Sequence, residues 1–209
     1  MSSCLTSIVE TTKGFLLKPT ETFQQHDCTS LAKTFQYYAV LSLFYATLFG
    51  IVEGITFHFN AASMFADFTF IGEFMGLISW IIILFIIAFA FTSCIIGIFF
   101  SGLFQHIFVL LCGGEHGVAQ TLKAVMYGSV PVLVLGWIPV VNFIAALWSL
   151  VLMIIGVREL HKMSTEMAVV AVLLPIVLIF LIIFLLILLL VSIIGLGAAE
   201  IFTAALSEL

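Results

Sequence analysis

The chain has 209 residues, of which 64% are hydrophobic and 8% charged, and a formal net charge of −5. Soluble domains carry about 25% charged residues, and a chain of this size leaves too much surface exposed to hide such an apolar surplus from water, so a water-soluble fold is excluded. The six Lys and Arg are scattered and form no basic patch, which excludes nucleic acid as a partner.

In chain order, residues 1–33 read as an interfacial N-terminal segment on the cytoplasmic side. Leu5, Ile8, Val9, Phe15 and Leu16 share one helical face with Glu10 and Lys13 off it, the pattern of a helix lying flat at a lipid surface. Pro19 ends or redirects it. No cleaved signal peptide is expected, because Glu10, Lys13, Lys18, Glu21 and Asp27 precede the first long apolar run. The cysteines (Cys4, Cys28, Cys94, Cys112) lack metal-type spacing, and Cys94 and Cys112 read as small hydrophobes.

About 20 apolar residues cross a hydrocarbon core. Four stretches are free of charge: Thr34–Val52, Phe74–Gly114, Ala124–Val157 and Met167–Ala199. Thr34–Val52 is the length of one span, and an outer loop is expected from Thr56 to Gly72, rich in Phe57, Phe59, Phe65, Phe68 and Phe70. The third stretch carries Pro131, Gly136, Trp137 and Pro139 near its middle. Because Pro interrupts helices, it predicts a tight hairpin, with one helix from about Val118 to Leu135 and the next from about Pro139. Lys123 is then expected to snorkel at the interface. Phe74–Gly114 is either one long helix or two spans. Cytoplasmic loops collect Lys and Arg, and one span there places all six cations on one side, whereas splitting it divides them three and three.

The predicted fold is therefore an all-α polytopic membrane bundle of five transmembrane helices over residues 34–194, with a Pro/Gly hairpin between the third and fourth. The N-terminus is cytoplasmic and the C-terminus outside the cell membrane. After a break at Gly195 and Gly197, residues 195–209 form a short outer amphipathic tail, with Ile201, Phe202, Ala205, Leu206 and Leu209 on one face.

Several motifs fall in an order that resembles one family. These are His106, Gly113–Gly114, Thr121–Leu122–Lys123, Ser129–Val130–Pro131, the run from Trp148 through Gly156, Arg158 and His161, and Ala168. The opening Phe15–Phe23 adds to them. Together they resemble the Yip domain family of small five-span membrane proteins, whose eukaryotic members interact with Rab-type GTPases and carry a long cytosolic region before the first span. Here residues 1–33 alone precede it, so the resemblance implies a compact prokaryotic type of member, a fold without a firm activity, and GTPase binding is not carried over.

The candidate structural and interaction residues are these. Gly113–Gly114 suit a helix C-terminus and tight turn. His106, a polar group in a span, is expected to find a buried partner such as a hairpin carbonyl, a proton relay or metal ligand being the sharper reading. Pro131 marks the hairpin, and Gly156 belongs to the motif run. Trp148 needs a partner for its indole N–H, with Asn142, Ser149 and Ser129 available. Arg158, Glu159, His161 and Lys162 form the most charged patch, read as topology marking or, with Glu115 and His116, as a docking face. Glu53 and Glu73 flank the outer loop and read as solvated ends or as a paired-carboxylate cation site.

No zinc-protease helix, nucleophile elbow or nucleophile–base pair is present in the sequence. The expectation is a non-catalytic membrane protein without a cofactor, working through contacts with membrane lipids, with itself or with another membrane protein. A small channel or carrier and an accessory subunit of a larger complex are the alternatives.

Overall fold

A computed structural model of the chain describes the backbone of residues 2–64 and 69–207, with side chains described for residues 6–60, 63, 78 and 80–195. The described residues form eight helices and no strand: α1 Ser2–Leu17, α2 Pro19–His26, α3 Leu31–Met64, α4 Thr69–Leu111, α5 Val118–Gly128, α6 Val130–Leu135, α7 Val141–His161 and α8 Thr165–Ser207. Among the described residues, five segments are long and apolar enough to cross a membrane: Leu31–Asn60, Trp80–Leu111, Val118–Leu135, Val141–His161 and Thr165–Gly195. The fold is the all-helical, five-span bundle that the sequence predicts.

The Phe74–Gly114 stretch is a single helix, α4, of 43 residues. At 1.5 Å per residue it is about 65 Å long, well beyond a hydrocarbon core. Two boundaries differ from expectation. The outer loop does not start at Thr56, because α3 continues to Met64; Thr56–Met64 contains no Pro or Gly to stop it, and Phe57 and Phe59 sit exposed on the helix. No break occurs at Gly195 and Gly197, since α8 runs through them to Ser207. The side chains proposed for the tail's apolar face lie outside the described residues.

The chain divides into two compact units, residues 1–172 and 173–209. In the first, α3 and α4 pair along their lengths. Gly50 and Gly54 make the approach possible: a Cβ at Gly50 would lie 3.1 Å from the Ile87 backbone nitrogen, and one at Gly54 would strike the Ile83 side chain. This is the small-residue spacing that lets membrane helices close on each other. The third span is the most enclosed. Residues 121–128 of α5 are all buried, and Val130, Pro131 and Leu133 of α6 join them. Ser129 separates the two helices, and Pro131 opens α6 where no backbone N–H is needed. The second unit is the remainder of α8, which contains Pro175 and exposes large hydrophobic side chains from Val177 to Ile194.

The helix α1 is not a free surface helix. Phe15 and Phe23 are fully buried. Phe15 stacks on Tyr127 of α5 at 4.4 Å and meets Phe23 edge-on at 4.9 Å. Thr12 shares a 2.9 Å hydrogen bond with the Tyr37 hydroxyl of α3, and α1 also touches α6. Phe15 of the apolar face that suits lipid is covered by protein, and Ile8 and Leu16 are covered in part, while Val9 remains 51% exposed.

The hairpin between α6 and α7 satisfies its own backbone. Gly136, Ile138, Val141 and Asn142 donate to Val132, Leu135, Pro139 and Ile138, and the Trp137 indole donates to the Val134 carbonyl, as a turn near hydrocarbon requires. Val141 N–H bonds to the Pro139 carbonyl around Val140, which takes φ 70° and ψ −48°, a strained γ-turn for a β-branched residue. Val140 is 86% exposed, so its side chain gives little back. Val140→Gly is expected to stabilise the protein by about 1 kcal/mol, the cost of positive φ less the entropy glycine adds to the unfolded chain. The thermal midpoint in detergent checks this, and a lower midpoint would refute it.

Candidate functional site

A network of polar side chains in the first unit gathers at one end, where α2 and the α2–α3 turn lie against α5 and α7.

The α4–α5 connection begins with a tight helix cap. Gly113 takes φ 89°. Its N–H bonds to the Leu110 carbonyl and that of Gly114 to Val109, the paired bonds that satisfy orphan carbonyls at a helix end. A Cβ at Gly114 would lie 3.0 Å from the Val109 carbonyl oxygen and 3.1 Å from His161 Nδ1, so only glycine lets the turn settle on that imidazole. The α7 end repeats the geometry with Lys162 at φ 56° and Met163 N–H bonded to the Arg158 carbonyl.

Beneath the turn a hydroxyl bridges two imidazoles. Thr121 of α5 lies 2.8 Å from His106 Nδ1 of α4 and 2.9 Å from His161 Nε2 of α7. The hydroxyl has one proton, so it donates to one ring and accepts from the other. The partner of His106 is thus a side chain of the neighbouring span rather than a hairpin carbonyl. His161 is buried, and its Nδ1 has no partner among the described residues. His116, exposed on the turn, sets its ring edge-on to His161 at 6.2 Å. No group of three or more His, Cys, Asp or Glu among the described residues is arranged to hold a metal ion.

A second set of bonds fastens α2. Lys123 does not snorkel. It is 4% exposed, and its Nζ donates to the carbonyls of Asp27 at 2.6 Å and Thr29 at 3.1 Å. Asp27 caps the end of α2, where the helix dipole favours a cation, and Thr29 lies in the turn beyond it. Lys162 donates to the Asp27 carboxylate at 3.0 Å, and Gln120 donates to it at 3.3 Å. Arg158 pairs with its neighbour Glu159 at 2.6 Å and donates to the Thr20 hydroxyl at 3.5 Å, while Gln24 donates to Glu159 at 2.9 Å. Arg158, Glu159 and Lys162 therefore face partners within the chain. Gly156 completes the seat, since a Cβ there would lie 2.8 Å from the Phe23 ring and 3.3 Å from Ala124 Cα.

The structure thus brings together His106, Gly113, Gly114, Gly156, Arg158, His161 and Lys162. Pro131 is buried where α6 begins. Trp148 stands apart: it is 38% exposed, and among the described residues its indole makes no hydrogen bond. The polar groups expected to serve it are used elsewhere or are not engaged with it. Ser149 accepts from the Val132 N–H and Ser129 donates to the Val125 carbonyl. Glu53 is exposed on α3, and the Glu73 side chain lies outside the described residues. Asp27, Thr121 and Phe23 are central here and carry no functional role in the sequence reading. The Gly50–Gly54 spacing is the overlooked mark that the sequence does display.

Compared with known proteins, the chain matches the family model described as Yip1 domain over residues 13–188. No curated protein and no solved structure matches it.

Proposed function

The chain belongs to the Yip1 domain family, and from that premise we propose that it is a non-catalytic integral membrane protein that acts by protein–protein contact at the polar end of its bundle. The observation that carries the reading is the engagement of Arg158 and Glu159 with α2 and of Lys162 with Asp27 just after it. Those charges build a surface rather than form it. What they leave facing outward is Glu21 and Gln25 of α2 together with Glu115 and His116 of the α4–α5 turn, and this composite face is the proposed docking surface. Its orientation is cytoplasmic, with the N-terminus inside and the C-terminus outside the cell membrane, because the cations gather at this end and cytoplasmic ends collect Lys and Arg.

The test is co-purification after mild detergent extraction, comparing the wild-type chain with Glu21→Lys/Glu115→Lys. Both positions are exposed, so the variant should keep its thermal midpoint while losing the proteins recovered with the wild type. Unchanged recovery would remove the docking surface. An N-terminal tag reached by antibody in intact cells would reverse the orientation.

A further inference from the structure

A cleft of about 420 Å³ opens between α1, α3 and Tyr127 of α5, within the size range of ligand pockets. Its walls are graded. Lys33, Thr29 and His26 line one part, and Ile8, Tyr37 and Val40 line another, with the uncharged polar side chains of Ser7, Thr11 and Gln36 completing the walls. Lys33, Tyr37 and Val40 follow one another along a single stripe of α3, so the cleft extends about 10 Å from the start of the first span into its apolar part. The polar end therefore stands at headgroup depth and the other end at acyl-chain depth.

The charge at the polar end is not used by the protein. Lys18 pairs with Glu21, Lys162 with Asp27 and Arg158 with Glu159, and Lys123 is held by carbonyls. Among the described residues the Lys33 ammonium has no partner, and no acidic side chain lines the cleft. His26 binds the Thr22 carbonyl through Nδ1 at 2.9 Å, which leaves Nε2 as its remaining polar atom. The Thr12–Tyr37 bond and the buried Phe15 hold α1 in place as the far wall.

We infer that this cleft binds one anionic phospholipid, its phosphate against Lys33, Thr29 and His26 and part of an acyl chain along Ile8, Tyr37 and Val40. A soluble anion would leave the apolar end unfilled, and a zwitterionic lipid would give Lys33 no net charge to meet. The site is separate from the proposed docking surface and uses neither Glu115 nor the exposed face of α2, so either can fail without the other.

The experiment uses the full chain, purified and delipidated in detergent, with dioleoyl phosphatidylglycerol, dioleoyl phosphatidylcholine or inorganic phosphate added in turn. Bound lipid is counted by native mass spectrometry and the thermal midpoint is followed. Phosphatidylglycerol should be retained one per chain and raise the midpoint, with phosphatidylcholine and inorganic phosphate far weaker. Lys33→Gln should lower its affinity about fivefold, the size expected for one cation at a headgroup. Val40→Trp fills the apolar end without changing charge and should weaken it by a similar factor. Lys13→Gln removes an exposed cation outside the cleft and should leave it unchanged. Equal retention of the two lipids, an effect of inorganic phosphate matching that of phosphatidylglycerol, or wild-type affinity in both cleft variants would overturn the inference.

Discussion

Lys123→Met is expected to lose about 3 kcal/mol of stability, more than any exchange of a surface charge in this protein. Methionine keeps most of the length and apolar stem, so packing along α5 changes little. What disappears are the two bonds from Nζ to the Asp27 and Thr29 carbonyls. A buried polar group left without a partner costs about 1–3 kcal/mol, and here two carbonyls are stranded at once. The Asp27 carboxylate keeps Lys162 and Gln120, which limits the loss. The partly exposed Lys162–Asp27 pair supplies the control: Lys162→Met should cost at most about 1 kcal/mol. Both variants are read by thermal midpoint in detergent and by cleavage with a Glu-specific protease at the exposed Glu21 of α2, which should accelerate only when α2 loosens. If Lys123→Met matches Lys162→Met in both readouts, Lys123 is not what fastens α2.

This buried lysine marks where the sequence stopped being legible. The five spans could be counted because lipid imposes a one-dimensional rule: charges interrupt, apolar runs cross, and Pro and Gly break. The same rule favoured one span over Phe74–Gly114 without excluding two, through the side on which Lys and Arg fall, and α4 is one helix there. It could not tell lipid from protein as the cover for an apolar face. Ile8 and Phe15 suit either, and the choice rests on Tyr127, more than a hundred residues away. Lys123 reads as an interfacial cation for the same reason, since the carbonyls that hold it come from a turn 94 and 96 residues earlier. Trp148 shows the converse error. The sequence predicts a polar partner for its indole N–H, yet Trp148 is 38% exposed and makes no hydrogen bond among the described residues. The candidate site was half legible. His106, Gly114, Gly156 and His161 were visible as motif residues, but Thr121 as the bridge and Phe23 as the ring over Gly156 depend on three helices meeting.

Gly156→Leu is expected to unseat α2, at a cost of about 3 kcal/mol, the upper part of the range for overpacking a filled site. In an ordinary helix interior the smaller change Gly156→Ala would gain about 1 kcal/mol of helix propensity. Here its Cβ would lie 2.8 Å from two atoms of the Phe23 ring and 3.3 Å from Ala124 Cα. The ring has nowhere to retreat, because Phe23 is fully buried and packs edge-on against Phe15. Gly156→Ala should therefore destabilise by about 1–2 kcal/mol, reversing the propensity order. A double-mutant cycle isolates the cause. Phe23→Leu alone loses aromatic packing, but in its background Gly156→Ala should be close to neutral, a coupling of about 1–2 kcal/mol between residues 133 positions apart in sequence. Additive losses would mean that the ring and the glycine do not limit each other. Gly156→Leu also reports on function without touching an exposed residue. With α2 displaced, Glu21 and Gln25 leave the face they share with Glu115, and the co-purifying proteins should be lost as they are from Glu21→Lys/Glu115→Lys. Retention of those proteins by a Gly156→Leu chain whose α2 has become sensitive to Glu-specific cleavage at Glu21 would place the contact surface somewhere other than α2.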